Sequence, residues 1–279
     1  MTDTVLQVDG LHVAYRGSDG VVPVVQGVSF TLGREKLAVV GESGSGKTTV
    51  GRALLRLLPR HAQVNARTLR FDGVDLLAAS DAQMSRLRGS RLSMVMQDPK
   101  YSLNPVMSVG EQIGEAVLRS TTLGRAACRE RVEQLLARVQ IREPARVAGQ
   151  YPHQLSGGMG QRVMLAMMLA QNPQVLIADE PTSALDVSVR REVLNLLDEL
   201  VAEQGLSLLF ITHDLHLVSR FCDRVLVMYA GRVVESLAAG ELTQAQHPYT
   251  QALLSAVPSL KHRRATLPML QRDPAWSRP

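Results

Sequence analysis

Cysteine is scarce in this sequence. The 279 residues hold two, Cys128 and Cys222, too few and too far apart for a disulfide framework or a cysteine-built metal site. A reducing compartment, the cytosol, is the expected home. Aromatic residues make up only 4%, and lysine is almost absent: Lys36, Lys47, Lys100 and Lys261 stand against 27 arginines. No stretch approaches the roughly 20 apolar residues that a membrane span requires. The opening MTDTVLQVDG has no basic region followed by an apolar core, so no secretory signal is expected. Glycine (21) and proline (13) follow no period, which excludes collagen-like and coiled-coil classes. The marks of disorder are missing too, because 45% of residues are apolar and the net charge is only +5. That surplus is spread along the chain and has no aromatic platform for bases. It suits a solvated basic surface better than a nucleic-acid groove.

What is present is an alternation of short apolar runs and helix-period segments, the pattern of an α/β fold. Residues 37–40, 92–96, 175–178, 206–211 and 224–229 read as buried strands. Residues 48–58 read as a helix with Val50, Leu54, Leu57 and Leu58 inward, Arg52 and Arg56 outward, and Pro59 as its stop. The stretch REVLNLLDELVAEQ ahead of Gly205 has the 3.6-residue period of a helix covering one sheet face. Residues 5–32 alternate with Gly and Pro breaks, as antiparallel strands do. Residues 108–148 are helical in pattern, with Val132, Leu135, Leu136 and Val139 on one face, and read as an inserted helical lobe. From about residue 258 the periodicity is lost, so a mobile tail is expected.

One lysine sits where a solubilising lysine would not. Gly41-Glu42-Ser43-Gly44-Ser45-Gly46-Lys47-Thr48 fits G-x-x-x-x-G-K-[ST], after a strand and at the opening of a helix. Glycines let backbone amides turn inward around phosphates, and the helix start adds unpaired N–H groups and a positive dipole end. Lys47 then supplies a point charge to the β- and γ-phosphates, and the Thr48 hydroxyl can ligate Mg²⁺. Further on, the apolar run 175–178 leads into Asp179 and Glu180. Two carboxylates at the carboxyl end of a buried strand lie where open α/β sheets bind ligands. Asp179 is expected to hold Mg²⁺ and Glu180 to polarise an attacking water.

At Leu155-Ser156-Gly157-Gly158-Met159-Gly160-Gln161-Arg162 the sequence resembles the ATP-binding cassette (ABC) family, whose LSGGQ signature stands before a helix, here 163–171. Other family motifs follow in order. Tyr15 matches an aromatic that stacks on adenine. Gln97, in Val95-Met96-Gln97-Asp98-Pro99, matches the glutamine that joins core to helical lobe. Ser183-Ala184-Leu185-Asp186 matches the loop that meets an opposite subunit, and His213 matches the switch histidine. Taken singly, Tyr15 suits a packed aromatic, Gln97 a capped loop end and His213 a satisfied histidine better than a functional role. The ordered set is what carries the resemblance, over roughly residues 5–260.

The resemblance implies a P-loop NTPase (RecA-like) core with an N-terminal antiparallel β-subdomain, formed by residues 1–97 and 166–257. It also implies an α-helical signature subdomain at 98–165, leaving a tail at 258–279. It implies ATP as substrate and Mg²⁺ as its metal. Nucleotide would contact Tyr15, Gly41, Glu42, Ser43, Gly44, Ser45, Gly46, Lys47, Thr48, Thr49, Gln97 and Asp179, with Ser156, Gly157 and Gly158 supplied across a subunit seam. Thr48, Gln97 and Asp179 would hold the metal, and Glu180, His213, Lys47 and Gln97 would serve hydrolysis.

One position departs from the signature, Met159 for Gln. It leaves the anion-binding Ser156, Gly157 and Gly158 in place and bears only on a side-chain contact at the seam. Met159, Gln97-Asp98-Pro99 with Ser102-Leu103-Asn104-Pro105, and His247-Pro248-Tyr249-Thr250 resemble the peptide and nickel uptake branch. Relatives there carry tail cysteines for an iron–sulfur cluster; this tail has none, so no cluster is expected. The chain is therefore expected to energise import of peptides, nickel or a metal chelate. Its expected partners are a second, non-identical cassette, two membrane permease subunits and an extracytoplasmic solute-binding protein, with no nucleic acid. Its expected place is the cytoplasmic face of the inner membrane, as a peripheral subunit. A soluble ABC ATPase of DNA repair or translation is the alternative.

Overall fold

The computed structural model describes residues 4–17, 20–96, 102–183, 185–256, 273 and 276. The chain forms two compact units, Met1–Ala79 with Leu209–Pro279, and Ser80–Leu208.

The first unit opens with a long antiparallel hairpin, β1 (Leu6–Gly17) and β2 (Gly20–Leu32), paired from Leu6↔Leu32 to Gly17↔Gly20. On β1 the buried positions are Leu6 and Val8, then Leu11 and Val13, so the period of two skips a beat. A register shift between Val8 and Leu11 accounts for this. Gly10 takes φ 60° there and donates its N–H to Ser29 Oγ at 2.8 Å. The bulge returns Leu11 to the core face, which strict alternation would deny it. The short strands β4 (Ala62–Asn65), β5 (Thr68–Phe71) and β6 (Val74–Asp75) complete this sheet, in the order β2-β1-β5-β6 with β4 also on β1. This is the antiparallel region expected from residues 5–32.

Beside it lie β3 (Lys36–Val40), β10 (Arg224–Tyr229) and β11 (Arg232–Ala238). β10 runs parallel to β3, with Val227 opposite Val40, and antiparallel to β11. Residues 37–40 are buried throughout, as a strand covered on both faces should be. Among the described residues, the α-helices of this unit are α1 (Lys47–Leu54), α8 (Leu215–Phe221) and α9 (Pro248–Ala256). Helix α1 stops four residues short of the expected end. Arg56 turns into the left-handed region at φ 52° and donates to the Ala79 carbonyl, leaving Leu57 42% exposed and Leu55 buried in its place. Behind α8, burial pushes the Cys222 thiol up to about 12.

In the second unit β7 (Leu92–Val95) lies parallel to β8 (Val175–Asp179), and β9 (Ser207–Ile211) begins there before the chain passes back to the first. Its helices are α2 (Asp81–Leu87), α3 (Val109–Leu118), α4 (Arg125–Arg138), α5 (Pro144–Ala148), α6 (Gly157–Leu169) and α7 (Val187–Gln204). Their starts are written in the sequence. Ser80 with Gln83 and Ser108 with Glu111 form capping boxes, Pro144 opens α5, and Asp186 caps α7, which Gly205 ends in the left-handed region. The expected face of α4 is buried, with Val132, Leu135 and Leu136 in the core and Val139 just beyond the helix end.

Helix α6 begins six residues before the expected start at 163, so the signature glycines are its first turn rather than a loop ahead of it. Ser156 Oγ accepts from the Met159 N–H at 3.3 Å, and that cap offsets glycine's poor helix propensity. The Ser108 capping box yields a simple expectation. Ser108→Ala should lower stability by about 1 kcal/mol in urea unfolding, and Ser108→Asp should restore most of it.

Candidate functional site

β3 delivers the chain into Gly41, where no other residue fits. A Cβ there would lie 2.2 Å from the Met228 carbonyl oxygen and 2.9 Å from Ser45 Oγ. Gly46, at φ 100°, is confined less tightly: a Cβ there would lie 2.9 Å from the Val24 carbonyl oxygen. Between them the loop is braced by its neighbours. Ser45 N–H donates to Glu42 O at 3.2 Å, and Gly231 N–H donates to Ser45 O at 3.1 Å. Glu42 N–H donates to the Tyr249 hydroxyl at 2.9 Å. Ser43 and Gly44 remain exposed.

Lys47 is only 8% exposed. Its ammonium donates to Gly41 O at 2.8 Å and Glu42 O at 2.7 Å, and lies 3.4 Å from Ser45 Oγ. A charge that deep is tolerated because three oxygens surround it. Helix α1 starts here without a side-chain cap and without an acid in its first turn. Its first turn offers amides and a positive dipole end favourable to an anion, with half-buried Thr48 and Thr49 beside them. The donor set fits a polyphosphate.

His213 emerges beyond β9, exposed. The Thr212 N–H donates to Val39 O at 3.2 Å, which sets this exit next to the strand that leads into Gly41. Asp214 follows as the cap of α8, accepting from Leu217 N–H at 2.9 Å. Tyr15 is half-buried on β1, paired with Val22 and Ala62, its ring tilted against His61 at 5.7 Å.

In the second unit, β8 ends in Asp179, 3% exposed, followed by half-buried Glu180. Glu180 takes φ 48°, a conformation that costs a non-glycine residue about 1 kcal/mol. Its carbonyl accepts from the N–H of Ser183 at 3.2 Å and from its hydroxyl at 3.0 Å, which holds the strained turn closed. Buried Gln161 of α6 donates from Nε2 to Ser183 Oγ at 3.4 Å, linking the signature helix to the carboxylate loop. Sequence reasoning passed over this link, although Gln161 lies four positions into the helix, one turn from Gly157. Ser156 and Gly157 are exposed at the start of α6 and Gly158 is half-buried. Asp186 is held below the usual carboxylate range by the Val189 N–H and then the Ser188 hydroxyl, so it is charged where it caps α7. Gln97 and Ala184 lie outside the described residues. No group of three or more His, Cys, Asp or Glu side chains able to hold a metal occurs among the described residues.

A buried lysine in a glycine cradle at an uncapped helix start, and a strand ending in two acids in a sheet of parallel strands, define a nucleotide-hydrolysing α/β protein. The sequence profile described as ABC transporter matches residues 25–183, and the chain belongs to that family. It is an ABC-type ATPase. The chain is 43% identical over 275 residues to the dipeptide transport ATP-binding protein DppD of Bacillus subtilis, covering 98% of this chain and 82% of that protein. It is 42% identical over 259 residues to the oligopeptide transport ATP-binding protein OppD of the same organism, covering 92% and 72%. Among solved structures, the dimeric post-hydrolysis state of the ATP-binding cassette MJ0796 bound to ADP and Pi superposes with a TM-score of 0.75. The identity is 25%, over 84% of this chain and 98% of that one. For cbiO1 of Clostridium perfringens the TM-score is 0.72 and the identity 30%, over 87% and 91%. These likenesses bear out the expected P-loop core.

The cradle separates two glycines by their surroundings. Gly41→Ala should destabilise the protein by about 3 kcal/mol, because the new methyl group meets backbone. Gly44→Ala, with open space around it, should cost only about 1 kcal/mol for its left-handed φ of 83°. Urea denaturation of both variants reads the difference.

Proposed function

We propose that this chain is the ATP-hydrolysing subunit of a peptide importer, working as one of a pair of cassettes beneath separate membrane subunits. The observation that carries this is the loop 41–48, with its buried ammonium and uncapped helix start. The relatives' names favour peptide over the nickel or metal chelate that the sequence also allowed, and they do not favour the DNA-repair or translation alternative.

In this reading Lys47 and the loop amides other than those of Glu42 and Ser45, which donate within the protein, hold the phosphates, and Tyr15 stacks on the adenine. Thr48, Asp179 and Gln97 offer oxygen donors, the chemistry Mg²⁺ prefers; bound there, the ion would neutralise charge building on the phosphates. Glu180 orients the attacking water and accepts its proton, and His213 steadies the γ-phosphate. Ser156, Gly157 and Gly158 meet the nucleotide of the opposite cassette, so each chain contributes half of two sites. Closure is then favoured only while the γ-phosphate adds affinity for the closed pair. Residues 98–165 form the lobe that presses on the membrane subunit, with Gln97 at its root, and 1–97 with 166–257 form the core. No helix among the described residues is long and apolar enough to cross a membrane, so translocation is assigned to the two permease subunits, fed by an extracytoplasmic solute-binding protein. The second cassette is a non-identical chain, and both sit peripherally on the cytoplasmic face of the inner membrane.

Lys47→Ala should weaken ATP binding at least tenfold by calorimetry, and unchanged affinity would remove the cradle from the mechanism. Glu180→Gln should keep ATP affinity, abolish phosphate release and trap the paired cassettes together on gel filtration. Full turnover in that variant would exclude Glu180 as the base.

A further inference from the structure

The motif His247-Pro248-Tyr249-Thr250 plays no part in the chemistry above, yet it reaches the loop. Glu235 Oε1 accepts from the Gln246 and His247 N–H groups at 2.7 and 3.2 Å, and His247 Nδ1 accepts from the Tyr249 N–H at 3.2 Å. Pro248 then opens α9 with its φ preset. The result is a rigid entry that buries Tyr249 completely, with its hydroxyl on the Glu42 amide, 207 positions away in sequence. Tyr249 packs on Tyr229 with centroids 4.5 Å apart, and Tyr229 directly follows Met228, whose carbonyl forms the floor under Gly41. Trp276 completes the cluster. Its ring lies 5.7 Å from both tyrosines, edge-on to Tyr229 at 72°, and the Tyr229 hydroxyl donates to Asp273 O at 3.4 Å.

We propose that Tyr249 is a positioning residue for the phosphate loop and that Trp276, packed on Tyr229 and Tyr249, sets how firmly it holds. The proposal rests on the reading of residues 41–48 as the ATP site. A ring cluster serving packing alone would need no polar bond to the loop. The Tyr249 hydroxyl makes one, to an amide at the turn where the backbone must stay open toward phosphate. With Glu42 N–H committed to Tyr249, the planar peptide between Gly41 and Glu42 is fixed, and the Gly41 carbonyl that accepts from Lys47 is fixed with it. Removing Trp276 uncovers both tyrosines and loosens that restraint from a distance.

The test uses the full-length chain and two variants, Tyr249→Phe, which keeps the ring and deletes only the hydroxyl, and Trp276→Ala, which leaves the buried ring untouched. Without nucleotide, amide exchange at Glu42 should accelerate at least tenfold in Tyr249→Phe and severalfold in Trp276→Ala, with β3 unchanged. The Kd for ATP should rise about fivefold to tenfold and about threefold respectively, and the double variant should be no weaker than Tyr249→Phe alone, since both act through one bond. Trp276 is the only tryptophan in the sequence, so its emission should shift when ATP binds the wild type and stay still in Tyr249→Phe. Wild-type exchange at Glu42 in Tyr249→Phe would overturn the positioning role, and additive effects in the double variant would overturn the link to Trp276. Failure of the ATP reading shows separately, as wild-type protein that binds no ATP or binds it as well with Lys47→Ala.

Discussion

The fold depends on keeping a stretch of backbone open that would otherwise close on itself. A loop able to surround phosphates must point several amides the same way, a conformation that leaves donors without partners and costs energy in isolation. Here the open shape is held from behind. Met228 O lies against Gly41, Val24 O against Gly46, Gly231 N–H on Ser45 O and the Tyr249 hydroxyl on Glu42 N–H. The first two come from strands of the two sheets in the same unit and the third from the turn between β10 and β11, so the parallel core and the antiparallel hairpin both serve as scaffold for eight residues.

The same division of labour runs through the acidic half. β8 supplies a dry, rigid support for Asp179, and the turn that follows is strained at Glu180 and closed by Ser183. Strain of this kind persists only where surrounding bonds over-determine it, and it gathers where a side chain must be aimed rather than merely placed. The Gln161 bond means that the start of α6 and the carboxylate turn share a restraint, so a displacement of one is felt by the other.

Much of this was legible beforehand because its causes are local. Buried strands showed as apolar runs, the helix ahead of Gly205 as a 3.6-residue period, and the loop as a spacing of glycines with one lysine. Where the reading missed, the cause was tertiary or competed with propensity. Leu57 looked inward by period, but the bond from Arg56 to Ala79 ends the helix before period matters. The glycines at 157, 158 and 160 argued against helix, and the Ser156 cap overrode them. The bulge at Gly10, the φ of Glu180 and the partnership of Glu42 with Tyr249 leave no periodic trace, since each depends on residues brought together only by folding.

The serine at the head of α6 has a further consequence. A hydroxyl carries two lone pairs but a single proton, and capping engages a lone pair. Ser156 thus has its oxygen engaged by its own helix while its proton remains available to donate. A threonine there would keep that division with a bulkier flank. An aspartate would preserve the cap yet place a negative charge at that exposed helix start.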